Sequence, residues 1–313
     1  MVSVMGKRGL FLVWLCLVSI LPGMAQTEKL IDYVNPFVGT DGYGNVYPGA
    51  QIPFGGIQMS PDTDSKYYDA ASGYKYNHST LLGFSLTHLS GTGIPDLGDF
   101  LFIPGTGEMK LDPGTREEPE KGYRSRYSHE KEWASPNYYA VELSDYGVKA
   151  EMTSGVRSGM FRFTYPQSDK AFIMIDMNHT LWQSCEWANL RMENDSTITG
   201  YKLVKGWGPE RHIYFTATFS KKLTGLRFMQ NKKPVIYNTS RFRSSYEAWG
   251  KNLMACISFD TKAGEEVIVK TAISSVSTNG AKNNMAELAG LAFDELKAKG
   301  EALWEKELGK YTL

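Results

Sequence analysis

The chain has 313 residues, with 34 basic and 34 acidic side chains and 42% hydrophobic residues. That balance gives no electrostatic case for nucleic acid or an anionic membrane surface, and the length accommodates one large domain or two. Residues 1–25 read as an export signal. Lys7 and Arg8 form the basic start, Leu10 to Leu21 the apolar run, and Pro22-Gly23-Met24-Ala25 supplies small residues for cleavage after Ala25. The apolar run is shorter than the roughly 20 residues of a spanning helix, and no other segment is long and apolar enough to cross a bilayer. Cys16 follows Leu15 rather than the small residue that lipid attachment would want. Removing the signal leaves 32 basic against 34 acidic residues. The expected location is therefore the periplasm or the extracellular space. That compartment permits a disulfide between the remaining Cys185 and Cys256, and buried free thiols satisfy the sequence equally well.

Lys29 to Val38 carries Ile31, Tyr33, Val34 and Phe37 and ends in Gly39-Thr40-Asp41-Gly42. From there to Gly56, Gly42, Gly44, Pro48, Gly49, Pro53, Gly55 and Gly56 leave no room for a helix. Ile57 to Met59 reads as a short strand and Asp62 to Ala71 as a polar loop. A strand-like run, Leu81 to Leu89, then leads into Ser90-Gly-Thr-Gly-Ile-Pro-Asp-Leu-Gly-Asp99, and Phe100 to Ile103 leads out. Asp112 to Tyr127 reads as an exposed connection.

From Asn137 onward short alternating segments recur at 138–143, 148–153, 159–165, 171–177, 197–204, 212–219, 223–228, 253–259 and 266–273, separated by Gly, Pro, Asn and Ser turns. This pattern predicts an all-β fold, a large antiparallel β-sandwich of two sheets over residues 26–278. After Asn279, Met285, Leu288, Ala289, Ala292 and Leu296 fall at helical spacing, continued by Leu303, Trp304 and Leu308. Asn283 or Asn284 is the expected cap and Gly300 a point where the helix could divide. This helical segment, 279–313, either folds back on the sandwich or opens a second, helical domain.

Chemistry is sparse by motif. The five histidines, at 78, 88, 129, 179 and 212, have no zinc-site spacing. Asp62-Thr-Asp64-Ser-Lys66-Tyr67 starts like a calcium loop but lacks its glycine and closing glutamate, which leaves a solvated loop as the expectation. Ser90 lies near His88 without a strand–elbow–helix setting. Asp41, Asp96 and Asp99 are loop carboxylates that could bind sugar hydroxyls, take part in acid–base work, or cap turns. Abundant Tyr (18) and Phe (15) serve either strand packing or stacking against sugar rings.

A set of ordered motifs goes further. Asn35-Pro-Phe-Val-Gly-Thr-Asp-Gly42, Tyr47-Pro-Gly-Ala-Gln-Ile-Pro-Phe-Gly55, Gln58-Met-Ser-Pro-Asp62, Ser72-Gly-Tyr74, Gly83-Phe-Ser85, His88-Leu-Ser-Gly-Thr-Gly93 and Asp96-Leu-Gly-Asp99 together resemble the N-terminal domain of glycoside hydrolase family 92. Tyr127-Ser-His-Glu130, Asp145-Tyr-Gly147 and Arg162-Phe-Thr-Tyr-Pro166 extend the resemblance across nearly all of 33–313. The resemblance implies a secreted, calcium-dependent, inverting exo-α-mannosidase acting on mannose-containing glycans such as those of N-glycans. It implies a sandwich, a helical linker and a catalytic (α/α)6 barrel, of which the barrel has no counterpart here. The acid and base carboxylates belong to that barrel, so no catalytic residue is expected in this chain. Most calcium ligands are likewise expected outside it, and the fragment is expected to be inactive alone. Two loops carry over as substrate contacts: Thr40, Asp41 and Gly42, and His88, Ser90, Gly91, Thr92, Gly93, Asp96 and Asp99. Tyr43 and Asn45 stand where family members often have histidine. The alternative is a non-catalytic carbohydrate-binding β-sandwich.

Overall fold

The computed structural model describes residues 29–65, 68–236 and 247–311. The export signal, and Lys66 and Tyr67 of the calcium-like loop, lie outside them. No helix among the described residues is long and apolar enough to cross a membrane.

The alternating segments form two facing antiparallel sheets. The nine-stranded sheet runs, from edge to edge, Glu247–Gly250, Ser184–Asn194, Thr197–Lys205, Arg211–Phe219, Glu265–Ser274, Ser158–Tyr165, Val148–Ser154, Tyr138–Leu143, Glu132–Ser135. The seven-stranded sheet runs Ser60–Asp62, Gly83–Ser85, Leu101–Thr106, Ser168–Asp176, Leu253–Thr261, Gly225–Gln230, Lys233–Pro234. Period two decides which side chains meet between them. On the Glu265–Ser274 strand Val267, Val269 and Ile273 turn inward, and on Ser158–Tyr165 so do Phe161 and Phe163. Across the gap Phe102 packs on Phe161 with ring centroids 5.0 Å apart, and Phe100 on Phe215 at 4.5 Å.

A second apolar cluster covers the outer face of the seven-stranded sheet, where Leu101, Ile103, Phe172, Met174, Met254 and Cys256 meet Tyr123, Met109 and Leu111. The 112–127 connection is thus not wholly exposed. Its end is buried at Tyr123, Arg124 and Ser125, and Ser125–Arg126 pairs with Thr80–Leu81. Cys256 sits in this cluster and Cys185 in the main core, both as free thiols. Burial pushes the Cys256 thiol up to about 12, which keeps it protonated and unreactive.

The C-terminal segment folds back on the sandwich. Ser277, rather than Asn283 or Asn284, caps its first helix (Thr278–Asn284) by accepting from Gly280 N at 3.0 Å. A 3-10 turn, Met285–Leu288, follows, with Ala289 and Ala292 left at the surface before the second helix, Phe293–Leu308. Gly300 does not divide that helix. It marks a close crossing, since a Cβ there would lie 1.7 Å from Asn137 Nδ2. Leu288, Phe293 and Leu296 pack on Met160. Glu287 Oε2 accepts from Val156 N, Arg157 N and Ser158 Oγ at 3.0, 3.0 and 2.8 Å, clamping the turn between two strands of the nine-stranded sheet. Farther on, Trp304 Nε1 donates to Gln51 O at 2.7 Å, and Glu305 Oε1 accepts from Ile31 N at 2.9 Å.

The Gly-rich stretch after Asp41 joins the sheet through a bridge in which Ala50 N donates to Met59 O (2.7 Å) and Met59 N to Ala50 O (3.1 Å). Gly49 makes that bridge sterically feasible, because a Cβ there would lie 2.1 Å from the Met59 carbonyl oxygen and 2.5 Å from Ser60 Cα. Backbone cannot yield as a side chain can, so Gly49→Ala should cost about 3 kcal/mol, the upper range for overpacking, read as a lowered urea midpoint at unchanged slope.

Candidate functional site

The two glycine-rich loops meet at one end of the sandwich, where Gly91 N donates to Asn45 O at 2.8 Å. The first loop closes on itself, with Val46 N donating to Gly39 O at 3.2 Å. Only glycine fits at position 44, where a Cβ would lie 2.2 Å from Gly39 O. Thr40 is buried, its hydroxyl donating to Phe37 O at 2.8 Å, so it supports the loop from within. Asp41 and Gly42 are exposed. Asp41 Oδ1 accepts from Gly42 N at 2.8 Å, and Lys75 Nζ stands 4.0 Å from the same carboxylate and bonds Gly42 O.

The second loop is pinned at its base. Leu86 N donates to Asp99 O at 2.9 Å, Gly98 N to Thr87 O at 2.8 Å, and the Thr87 hydroxyl to Asp99 Oδ2 at 2.7 Å. Its tip stands out from the fold: Ser90, Gly91 and Gly93 are exposed and Thr92 is half-buried. Two exposed aromatic residues belong to neighbouring segments. Tyr43, in the first loop, is 98% exposed, and the backbone N–H of exposed Trp207 donates to Asp96 Oδ2 at 3.1 Å.

Behind the tip lies a buried ionic network. Asp62 was expected in a solvated loop, yet it is fully buried between two histidines: Oδ1 lies 2.7 Å from His88 Nε2 and Oδ2 accepts from His179 Nε2 at 2.7 Å. His88 Nδ1 faces Gln58 O at 2.8 Å, so the ring is spent on interior acceptors. Lys202 is fully buried too. Its ammonium donates to His179 O at 2.6 Å and lies 3.0 Å from Asp99 Oδ1. Arg211 grips the same carboxylate with both guanidinium nitrogens, at 2.6 and 3.1 Å, a bidentate geometry with strong directional preference. Asp96 caps the Leu97 N–H at 2.6 Å and sits 4.0 Å from Arg211. Burial by itself pushes the Asp62 and Asp99 carboxyls up. Their partners outweigh it, His88 and His179 for Asp62 and the Lys202 and Arg211 cations for Asp99, and hold both well below the usual carboxylate range.

The structure therefore divides the residues singled out from sequence. Asp41, Gly42, Ser90, Gly91, Thr92 and Gly93 form one open rim, whereas Thr40, His88, Asp96 and Asp99 stand behind it and fix its shape. Asp99 is shielded and ion-paired, which leaves it unable to exchange a proton with a substrate. Among the described residues no group of three or more His, Cys, Asp or Glu side chains is placed to hold a metal ion. The loop carboxylates are turned to N–H, Lys and Arg partners. Sequence reasoning missed Asp62, His179, Lys202 and Arg211. The one available signal was Lys202, which occupies an inward position in the alternating 197–204 segment.

Removing one member of a buried ion pair strands the other, so Asp99→Ala should cost about 3–5 kcal/mol. Asp99→Leu combined with Lys202→Met should cost less than Asp99→Ala alone, as a urea-denaturation comparison would show. Both depressed carboxyls stabilise the fold fully above the unfolded value of about 3.9 and lose that contribution as pH falls below it. Unfolding free energy should therefore drop between about pH 4 and pH 2 by up to ~1.4 kcal/mol per pH unit for each carboxyl, and Asp99→Asn should flatten that slope.

A sequence profile for the Glycosyl hydrolase family 92 N-terminal domain matches residues 33–274. The chain is 90% identical to the family GH92 α-mannosidase BT3965 from Bacteroides thetaiotaomicron, solved in complex with mannoimidazole, over 91% of this chain and 38% of that one, with a TM-score of 0.89. The family GH92 inverting mannosidase BT2199 from the same species shares the fold at 24% identity and a TM-score of 0.75, over 91% of this chain and 37% of that one. A protein of Arthroderma benhamiae described as an uncharacterized secreted glycosidase is 30% identical over 147 residues, 46% of this chain and 19% of its own length. The chain thus spans less than two-fifths of each of these relatives. The match over residues 33–274 shows that the chain belongs to glycosyl hydrolase family 92 and carries its N-terminal domain.

Proposed function

We propose that this chain is the N-terminal portion of a secreted, calcium-dependent, inverting exo-α-mannosidase, and that its glycine-rich rim walls the mannose site. The observation that carries this reading is the 90% identity, over 91% of the chain, to an α-mannosidase solved with mannoimidazole. The rim suits such a role chemically. Exposed backbone at Gly42, Gly91 and Gly93 and the hydroxyls of Ser90 and Thr92 can bond sugar hydroxyls, while Tyr43 and Trp207 offer flat faces to pyranose C–H groups.

The general acid, the general base and most of the calcium ligands belong, in this proposal, to a helical domain outside these residues. The carboxylates that the rim loops do contain are tied to Lys, Arg and backbone N–H partners. This chain's part is to shape and orient one wall of the pocket. Alone, it should bind mannosides weakly and hydrolyse none.

Two measurements test the reading. With calcium present, the 313-residue chain should show no turnover of an aryl α-mannoside above buffer; measurable turnover would overturn the placement of acid and base elsewhere. Substituting this chain for the corresponding stretch of BT3965 should keep mannosidase kcat/KM within about tenfold, a cost of at most ~1.4 kcal/mol in transition-state stabilisation, and a dead chimera that still folds would count against the mannosidase assignment.

A further inference from the structure

A polar groove runs beside the end of the Ser168–Asp176 strand, and none of its lining residues comes from the two glycine-rich loops. It has two lobes of about 470 and 460 Å³, joined where Pro113, Asp176 and Asn178 line both. Each lobe falls in the size range of small-molecule sites.

Its chemistry is that of a site for neutral, hydroxylated ligands. Asn178, Asn231 and Asn252 line it with amides, of which Asn252 Nδ2 donates to Asn231 Oδ1 at 2.8 Å. Asp176 accepts from Asn178 N at 2.8 Å and from the Tyr123 hydroxyl at 3.2 Å, which fixes its carboxylate and leaves lone pairs over for a further donor. Asp112 and Lys232, which also line the groove, neutralise each other as an ion pair. That pairing leaves neither of these two charges free for an ionic ligand. Gln183 lines the second lobe and anchors it from behind, its Nε2 donating to Pro95 O at 3.0 Å and to Leu181 O at 2.5 Å.

The backbone adds an independent observation. Trp182, 63% exposed at the second lobe, has a φ of 72°, a left-handed conformation that bulky residues rarely adopt. Its neighbours enforce it: Leu181 N donates to Leu97 O at 2.9 Å, and the Thr180 hydroxyl donates to Gln183 O at 2.8 Å. At the first lobe Asn231 and Lys232, with φ of 50° and 64°, form the two-residue turn that joins Gly225–Gln230 to Lys233–Pro234, the ordinary geometry of such a hairpin. An exposed indole and side-chain amides lining one groove supply what a sugar ring requires, an apolar face to stack on and polar groups for the hydroxyls at its edge.

We propose that this groove binds a neutral oligosaccharide, with a pyranose ring stacked on Trp182 and its hydroxyls bonded by Asp176, Asn178 and Asn252. The proposal rests on the mannosidase reading only for which sugar to offer first. Calorimetric titration of the protein with an α-linked mannotriose, and separately with maltotriose, tests it. Mannotriose should bind, and Trp182→Gly, which removes the ring and relieves the left-handed strain together, should weaken binding at least tenfold without lowering the melting temperature. Asn178→Ala should weaken it at least threefold. Trp249→Ala, at an exposed tryptophan outside the groove, should leave affinity within twofold of the parent. Binding of neither sugar, or retention of parental affinity by both groove variants, would overturn the proposal. Variant-sensitive binding of maltotriose alone would uphold the groove and count against mannose as its sugar.

Discussion

A carboxylate taken out of water must find cations or donors inside, and the rim of this sandwich is built on two such carboxylates. Asp62 is compensated by His88 and His179, and Asp99 by Lys202, Arg211 and Thr87. The two centres are continuous, because the ammonium that pairs with Asp99 also donates to the carbonyl of His179. The network as a whole links the layers: Asp62 belongs to the seven-stranded sheet, while Lys202 and Arg211 reach over from the nine-stranded one to Asp99 and the His179 carbonyl. The charge network therefore sets the spacing of the layers as well as the loop. Apolar residues of similar volume could fill the same space at comparable stability. They would lack the directional contacts that hold the loop in one conformation.

That rigidity explains how a stretch with three glycines and one proline can serve as a wall. Gly91 and Gly93 expose backbone at the tip, while Asp96 and Asp99 fix the return path and Asp96 the backbone of Trp207. Hydrogen bonding to the Asn45 carbonyl ties the tip to the other loop, so the two halves of the rim are held in register. A binding surface of this kind loses little conformational entropy when a ligand arrives.

Much of the sandwich was legible because its strands alternate cleanly. Val148–Ser154 and Glu265–Ser274 are examples, and their inward residues are buried as period two requires. The Ser184–Asn194 strand was not legible. Register shifts between Cys185 and Trp187 and between Met192 and Asn194 break its alternation, and it presents Trp187 to solvent. The single apolar run read over 81–89 is in fact broken, with Gly83–Ser85 paired and His88 already in the loop. The rim loops were found by their motifs. The network behind them was not, because Asp62 and His179 lie 117 residues apart and Asp99 and Arg211 lie 112 apart. Pairings at such separations follow from topology, which local spacing does not encode.

The clasp between the chain's two described ends bears on how the protein is made. Ile31 has its hydrogen-bond partner, Glu305, 274 residues later, and Gln51 has its partner, Trp304, 253 residues later. At roughly 5–20 residues per second of synthesis, the first turn of the sandwich waits on the order of tens of seconds before the helix that covers it has emerged from the ribosome. Through that interval Ile31 and the Gln51 carbonyl lack their native contacts, and the turn that Glu287 clamps is open. The sandwich can collapse early around its phenylalanines, but its closure at this end is a late, long-range event. A nascent chain interrupted before Trp304 would hold a nearly complete core with an unsealed edge, the kind of surface on which chaperones act.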